Sequence, residues 1–196
     1  MVNNDKKISS SNVFNIVNPF TKTTVGKVIN SSAEHIRHVL EKSYNFRCSL
    51  SPVERSNIFT GTINQLNKNK KYFAKLITSE SGISLKDSFY EIERVINCAK
   101  YSAKVCKIIE RDITNDFIFN KKEKPKLKVI TEPLDLVIAI TPFNHPMNMV
   151  AHKIFPGIVA GTSIVLKPSE KAPLSAIKLV EVLLENGMPA NMVNVV

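Results

Sequence analysis

Residues 134–170 read LDLVIAITPFNHPMNMVAHKIFPGIVAGTSIVLKPSE. The apolar run Leu134, Leu136, Val137, Ile138, Ala139, Ile140 stops at Thr141-Pro142, and Asn144 and a helical pattern follow at once. A second β-branched run, Thr162, Ile164, Val165, Leu166, ends on Lys167-Pro168-Ser169-Glu170. Short apolar runs alternating with helical patterns predict parallel strands joined by crossover helices. In such a sheet, ligands sit beyond the carboxyl ends of the strands, and both polar clusters fall there. An amide donor at one strand end beside a Lys/Glu pair at the next points to a nucleotide site next to a reaction site.

Toward the carboxyl end the pattern predicts helices over 146–160 and 173–186, then a third strand from Val193. Pro156 should kink the first helix, and Gly187-Met188-Pro189 should end the second. Strand, helix, strand, helix, strand with right-handed crossovers is half of a doubly wound sheet. Its outer edge would lie open at the third strand, which predicts either that the natural protein continues or that this chain is marginally stable alone.

Toward the amino end, residues 13–30 (VFNIVNPFTKTTVGKVIN) read as a hairpin punctuated by Pro19 and Gly26. Four helices should follow. The first opens at Ser31 with Glu34 three residues on, a capping-box spacing, and carries Ile36, Val39, Leu40 and Tyr44. The second opens at Ser51-Pro52 with Glu54 and carries Ile58, Phe59, Ile63 and Leu66. The third spans about 69–81, with Tyr72, Phe73, Leu76 and Ile77 inward and Gly82 as a left-handed stop. The fourth runs from Ser84 to about Arg111. Residues 112–133 hold two β-prone runs around a lysine-rich turn (Lys121, Lys122, Lys124, Lys126, Lys128) and read as a protruding hairpin. The organisation is thus 1–111, a hairpin and helical part; 112–133, a β-hairpin; and 134–196, the first βαβαβ half of a sheet.

The net charge is +10, but the lysines are dispersed, so the reading is a general field that favours anionic ligands and no nucleic-acid surface. No apolar run is long enough to span a bilayer, and MVNNDKKISSSNVF lacks the apolar core of a secretory leader. The three cysteines, Cys48, Cys98 and Cys106, have no metal-site spacing and read as reduced thiols of a cytoplasmic protein.

Each candidate residue has a plain alternative. Asn144 either donates to an oxygen gaining negative charge, where such a donor contributes about 3–4 kcal/mol, or caps the next helix. Lys167 and Glu170 either hold a ribose or form an exposed i, i+3 pair worth only tenths of a kcal/mol. His145, Met149 and His152 share a helical face that either lines a channel for a polar or anionic substrate or simply packs. No metal site is read, because two histidines seven apart lack a third ligand in sequence.

The segment ITPFNHPMN…KIFPGIVAGTSIVLKPSEKAPLS resembles the NAD(P)-dependent aldehyde dehydrogenase superfamily. The resemblance extends through VNPF at 17–20, SPVER at 51–55, ESG at 80–82 and EIER at 91–94. Its FNHPMN variant looks most like the phosphonoacetaldehyde and lactaldehyde dehydrogenase branches. The resemblance implies an α/β fold whose sheet is Rossmann-like, NAD more than NADP as cofactor, and oxidation of a small aldehyde to the acid. It makes Asn144 the oxyanion donor. Ile140, Thr141, Pro142 and Phe143 become the turn on the nicotinamide side, and Lys167, Ser169 and Glu170 the adenosine-ribose turn. His145, Met149, His152 and Arg94 become the substrate tunnel, suited to an anionic aldehyde such as phosphonoacetaldehyde. It also makes 112–133 a homo-oligomerisation element. The family's cysteine nucleophile and general-base glutamate lie beyond the third strand, so the resemblance implies a chain inactive by itself. The alternative is a non-catalytic remnant that binds nucleotide or associates with other subunits.

Overall fold

The computed structural model describes residues 13–109 and 132–196. The 112–133 hairpin therefore lies, but for Glu132 and Pro133, outside the described residues. Strands β1 (Val13–Val17) and β2 (Thr24–Ile29) pair antiparallel. The turn between them is drawn in by Asn18, whose Oδ1 accepts from Phe20 N–H and Thr21 N–H, both at 2.9 Å. Gly26 does not punctuate this hairpin. It lies inside β2, where a Cβ would come within 2.9 Å of Leu174, so its lack of a side chain lets the hairpin sit on the later helix.

Helix α1 (Ala33–Asn45) is capped by Ser32 and not by Ser31: Ser32 Oγ accepts from His35 N–H at 3.1 Å. Val39 faces inward as expected, with Ser43 beside it, while Tyr44 stays exposed. Helix α2 (Pro52–Lys68) opens with the predicted capping box between Ser51 and Glu54. Helix α3 (Lys70–Ser81) ends at Gly82 with φ 78°, a conformation that costs an L side chain. It buries Phe73 and Ile77 but leaves Tyr72 exposed. Helix α4 (Leu85–Ile109) is long and exposes the apolar residues at its two ends.

The second half follows the predicted alternation: β3 (Leu136–Ile140), α5 (Pro146–Ala160), β4 (Ser163–Lys167), α6 (Leu174–Glu185) and β5 (Val193–Val195). The three strands are parallel in the order β3-β4-β5. Helix α5 runs unbroken across Pro156, which sits on its exposed side. One apolar core joins α2, α3, α4, α5, α6 and β4. Its centre holds Phe59 and Phe155, edge to face with ring centroids 5.2 Å apart. Burying each such side chain stabilises the fold by about 1.5–3 kcal/mol.

The third strand is not the most open part of the sheet. Among the described residues β5 pairs only with β4, as predicted, but β3 likewise has one partner. It is β3 that exposes apolar side chains, Ile138 at 59% and Ile140 at 66%. Helix α1 packs against β4 and β5.

Candidate active site

Parallel register brings the two polar clusters to one level. Ile140 stands opposite Lys167, and Thr141 N–H donates to Lys167 O at 3.2 Å. The turn after β3 (141–145) and the turn after β4 (167–172) therefore leave the sheet side by side. They also touch: Lys171 Nζ sits 4.5 Å from the centroid of the Phe143 ring. Ser169 shapes the second turn, its Oγ accepting from Lys171 N–H at 3.3 Å and its carbonyl from Ala172 N–H at 3.2 Å. Lys171 carried no signal in the sequence, since its partner comes from another strand.

Asn144 is exposed at the tip of the first turn. It does not cap α5, whose N-cap is His145, itself without a capping side-chain bond. The cap comes from elsewhere. Glu91, on the buried face of α4, points one oxygen at the first turn of α5, and Oε1 accepts from both Met147 N–H and Asn148 N–H at 2.9 Å. Burial pushes the Glu91 carboxyl above its ordinary range, and the two N–H bonds and nearby His145 offset part of that rise. At its other end, α5 meets buried Arg55, which donates to Val159 O at 3.2 Å and also to Leu50 O. Opposite charges thus complement both ends of the helix dipole.

Helix α6 is held the same way. Its N-cap, Pro173, offers no side-chain acceptor. Glu80, 2% exposed, accepts from Leu174 N–H at 2.6 Å and Ser175 N–H at 2.9 Å, one on each oxygen. Burial pushes the Glu80 carboxyl up as well. Sequence reading quoted both glutamates, in ESG and EIER, but gave neither a role. The available signal was their register: Glu91 lies on the stripe of Ser88, Ile92 and Val95, and Glu80 follows Phe73 and Ile77 on the inward face. A carboxylate in a core register calls for a specific partner.

Lys167 Nζ lies 3.1 Å from Glu170 Oε2, with the two side chains 50% and 69% exposed. Glu170's own backbone N–H, then the Lys167 ammonium, hold its carboxyl below the usual range. Both side chains line a cavity of about 890 Å³, walled by Val25, Tyr72, Pro173 and Ile177. The lining also carries Lys27, Asn30, Ser31, Lys178 and Glu181, and a cavity this large with apolar walls and several polar groups suits a nucleoside.

Arg94 and His152 meet in a second space, a 660 Å³ groove between α4 and α5 shared with Asn97, Cys98 and Tyr101. His145 and Met149 are outside its lining, so the predicted helical face splits. Met149 is half-buried, and His145 turns Nδ1 inward to within 3.6 Å of Glu91 Oε2. Cys48 and Cys98 are half-buried and Cys106 is buried. Burial raises the Cys98 and Cys106 thiols above their ordinary value, the reverse of what a nucleophile needs. Among the described residues no group of three or more His, Cys, Asp or Glu could hold a metal, and no helix is long and apolar enough to cross a membrane.

The model of the aldehyde dehydrogenase family matches residues 7–196. This chain belongs to the aldehyde dehydrogenase family. Aspartate-semialdehyde dehydrogenase 1 of Pseudomonas canavaninivorans is 38% identical over 92% of the chain and 39% of its own length. A lactaldehyde dehydrogenase of Methanococcus aeolicus is 37% identical over 86% of the chain and 36% of its own length. Among solved structures, the NADP complex of NADP-dependent glyceraldehyde-3-phosphate dehydrogenase from Bacillus halodurans superposes with a TM-score of 0.86 at 26% identity. That match covers 95% of this chain and 40% of the other. The chain thus spans about two fifths of the aldehyde dehydrogenases it matches.

Proposed function

We propose that these residues form the amino-terminal, cofactor-side part of an NAD(P)-dependent aldehyde dehydrogenase that oxidises a small aldehyde to its acid. The observation that carries this reading is the shared level of the two strand-end turns, with Thr141 bonded to Lys167 and Phe143 under Lys171. Asn144, free of any capping duty, donates its amide N–H to the carbonyl oxygen as that oxygen gains charge. Lys167 and Glu170 hold the adenosine ribose in the 890 Å³ cavity, with Ser169 shaping their turn and Ile140 to Phe143 on the nicotinamide side. When bound, the dinucleotide supplies the hydride acceptor. Glu170 favours NAD, because a carboxylate accepts from both ribose hydroxyls and repels a 2′-phosphate.

An anionic aldehyde suits the groove, whose lining includes both Arg94 of α4 and His152 of α5, with His145 and Met149 flanking the approach. Phosphonoacetaldehyde fits this description. One of the similar proteins is named for an anionic aldehyde, glyceraldehyde 3-phosphate; aspartate semialdehyde is a zwitterion that carries a carboxylate, and lactaldehyde is neutral. Covalent oxidation needs a thiolate at the carbonyl, and Cys48, Cys98 and Cys106 sit in or before the helices with raised or half-buried thiols. These residues therefore bind and orient but do not attack. Self-association through 112–133 and a cytoplasmic location belong to the same proposal.

Calorimetric titration of the chain with NAD+ and NADP+ tests the reading. Tighter binding of NAD+, with the gap narrowed about tenfold in Glu170→Gln and both affinities reduced in Lys167→Ala, is expected for charge-assisted contacts. Absence of heat with either dinucleotide, or an NADP+ preference indifferent to Glu170, overturns it.

A further inference from the structure

Glu91 does more than cap α5. Both capping bonds, from Met147 N–H and Asn148 N–H, fall on Oε1. The second oxygen, Oε2, is buried and makes no hydrogen bond. It faces His145 Nδ1 at 3.6 Å, and that nitrogen is also buried without a partner. The imidazole as a whole keeps 38% exposure, so its solvent edge is the one that carries Nε2. A buried carboxylate on one ring nitrogen sets which tautomer the other nitrogen presents.

We propose that Glu91 is a positioning residue for His145. It fixes the ring with Nδ1–H directed inward to Glu91 Oε2, so that neutral His145 presents Nε2 as an acceptor beside Asn144. The turn then offers a ligand two adjacent groups of opposite kind, a donating amide from Asn144 and an accepting nitrogen from His145. An aldehyde bearing a hydroxyl or other hydrogen-bond donor near its carbonyl matches that pair. This last step rests on the reading of the turn as the reaction face, whereas the tautomer does not. The separation of 3.6 Å is longer than a hydrogen bond, and closing it needs only a small side-chain adjustment, as open sites commonly show. Asn148 is the rival partner, since its amide is buried nearby with neither atom bonded.

Nitrogen-15 NMR of His145 in the intact chain at pH 8 is decisive. Wild type should give the Nδ1–H tautomer. Glu91→Gln keeps a carbonyl oxygen for Met147 and Asn148 but places an NH2 group against Nδ1, so the ring should switch to Nε2–H while those two amide resonances stay where they were. A purely structural cap would leave the tautomer unmoved. An Nε2–H ring in wild type overturns the proposal, either because Glu91 holds the proton or because Asn148 occupies Oε2. An unchanged ring in Glu91→Gln also overturns it. The wild-type spectrum decides even if the variant does not fold, and neither measurement needs dinucleotide or aldehyde.

Discussion

Helices α5 and α6 begin alike and are held alike, up to one oxygen atom. Each follows a strand-end turn, each opens at a residue with no capping side-chain bond, His145 or Pro173, and each takes a buried glutamate from an earlier helix. Glu80 divides its work, with one oxygen for Leu174 N–H and the other for Ser175 N–H. Glu91 takes both of its donors on Oε1 and leaves Oε2 spare. A carboxylate with both oxygens committed to one helix serves that helix. One with a free oxygen holds a helix and still acts on a neighbour, and that spare oxygen lies under the turn that carries Asn144. The geometry separates a structural cap from one that also shapes the site.

Alanine at either position should produce the largest effect and should not tell the two apart. Glu80→Ala and Glu91→Ala each strand two N–H groups in a buried place and each should cost about 3 kcal/mol. Urea denaturation of the two variants reads this directly. A loss under about 1 kcal/mol for Glu91→Ala would mean that its bonds to α5 do not bear on stability, and the parallel between the two helices would fail.

Glutamine separates them. In Glu80→Gln the amide NH2 must meet Leu174 N–H or Ser175 N–H, donor against donor, at a cost of about 1–2 kcal/mol. In Glu91→Gln the carbonyl keeps both donors and the NH2 fills the place of the spare oxygen, so the change at pH 7 should stay within about 0.5 kcal/mol. The pH profile sharpens this. Burial raises both carboxyls above 4.5 in the folded state, so the folded chain binds more protons than the unfolded one above that pH. Stability from each group is then full below 4.5 and declines as pH rises through the raised folded value. Removing the ionisable group removes that decline, so Glu91→Gln should gain on wild type between pH 4.5 and 7. Glu54 and Glu170, whose carboxyls are lowered, slope the other way in both proteins and cancel in the difference. A gap that stays flat across this range would show that Glu91 titrates alike in both states.

What was legible in the sequence follows from distance along the chain. The alternation of strands and helices over 134–196, the span 146–160, the Ser51–Glu54 box and the Lys167–Glu170 pair all rest on neighbours within a few turns. The glutamate caps do not: Glu91 reaches α5 across 56 residues and Glu80 reaches α6 across 94. Periodicity reports which face a side chain takes but not which distant N–H waits there. The same limit explains His145, read as one of a row with Met149 and His152. Its ring is drawn inward by a residue from another helix, so the row divides between the turn and the groove. Ser31 and Tyr72 failed for a smaller reason. Each has a neighbour, Ser32 or Phe73, of nearly the same chemistry, and one residue of helical phase decides between them.

Lys171 gives the smallest test, and it bears on whether the two helix openings act as one unit. Its ammonium lies over the Phe143 ring, so a residue just before α6 touches a residue just before α5. Phe143 is 48% exposed, and a contact of this kind at an exposed position is worth about 0.5 kcal/mol. Lys171→Ala alone is ambiguous, because Lys171 also helps hold the Glu170 carboxyl down. A double-mutant cycle with Phe143→Leu removes that ambiguity, since only the contact between the two side chains survives in the coupling. A coupling near 0.5 kcal/mol in urea denaturation makes the turns a linked pair that adds to the backbone bond from Thr141 to Lys167. A coupling of zero leaves the β3–β4 register as their sole connection, and the turns after the two strands would then move independently beyond the last backbone bond.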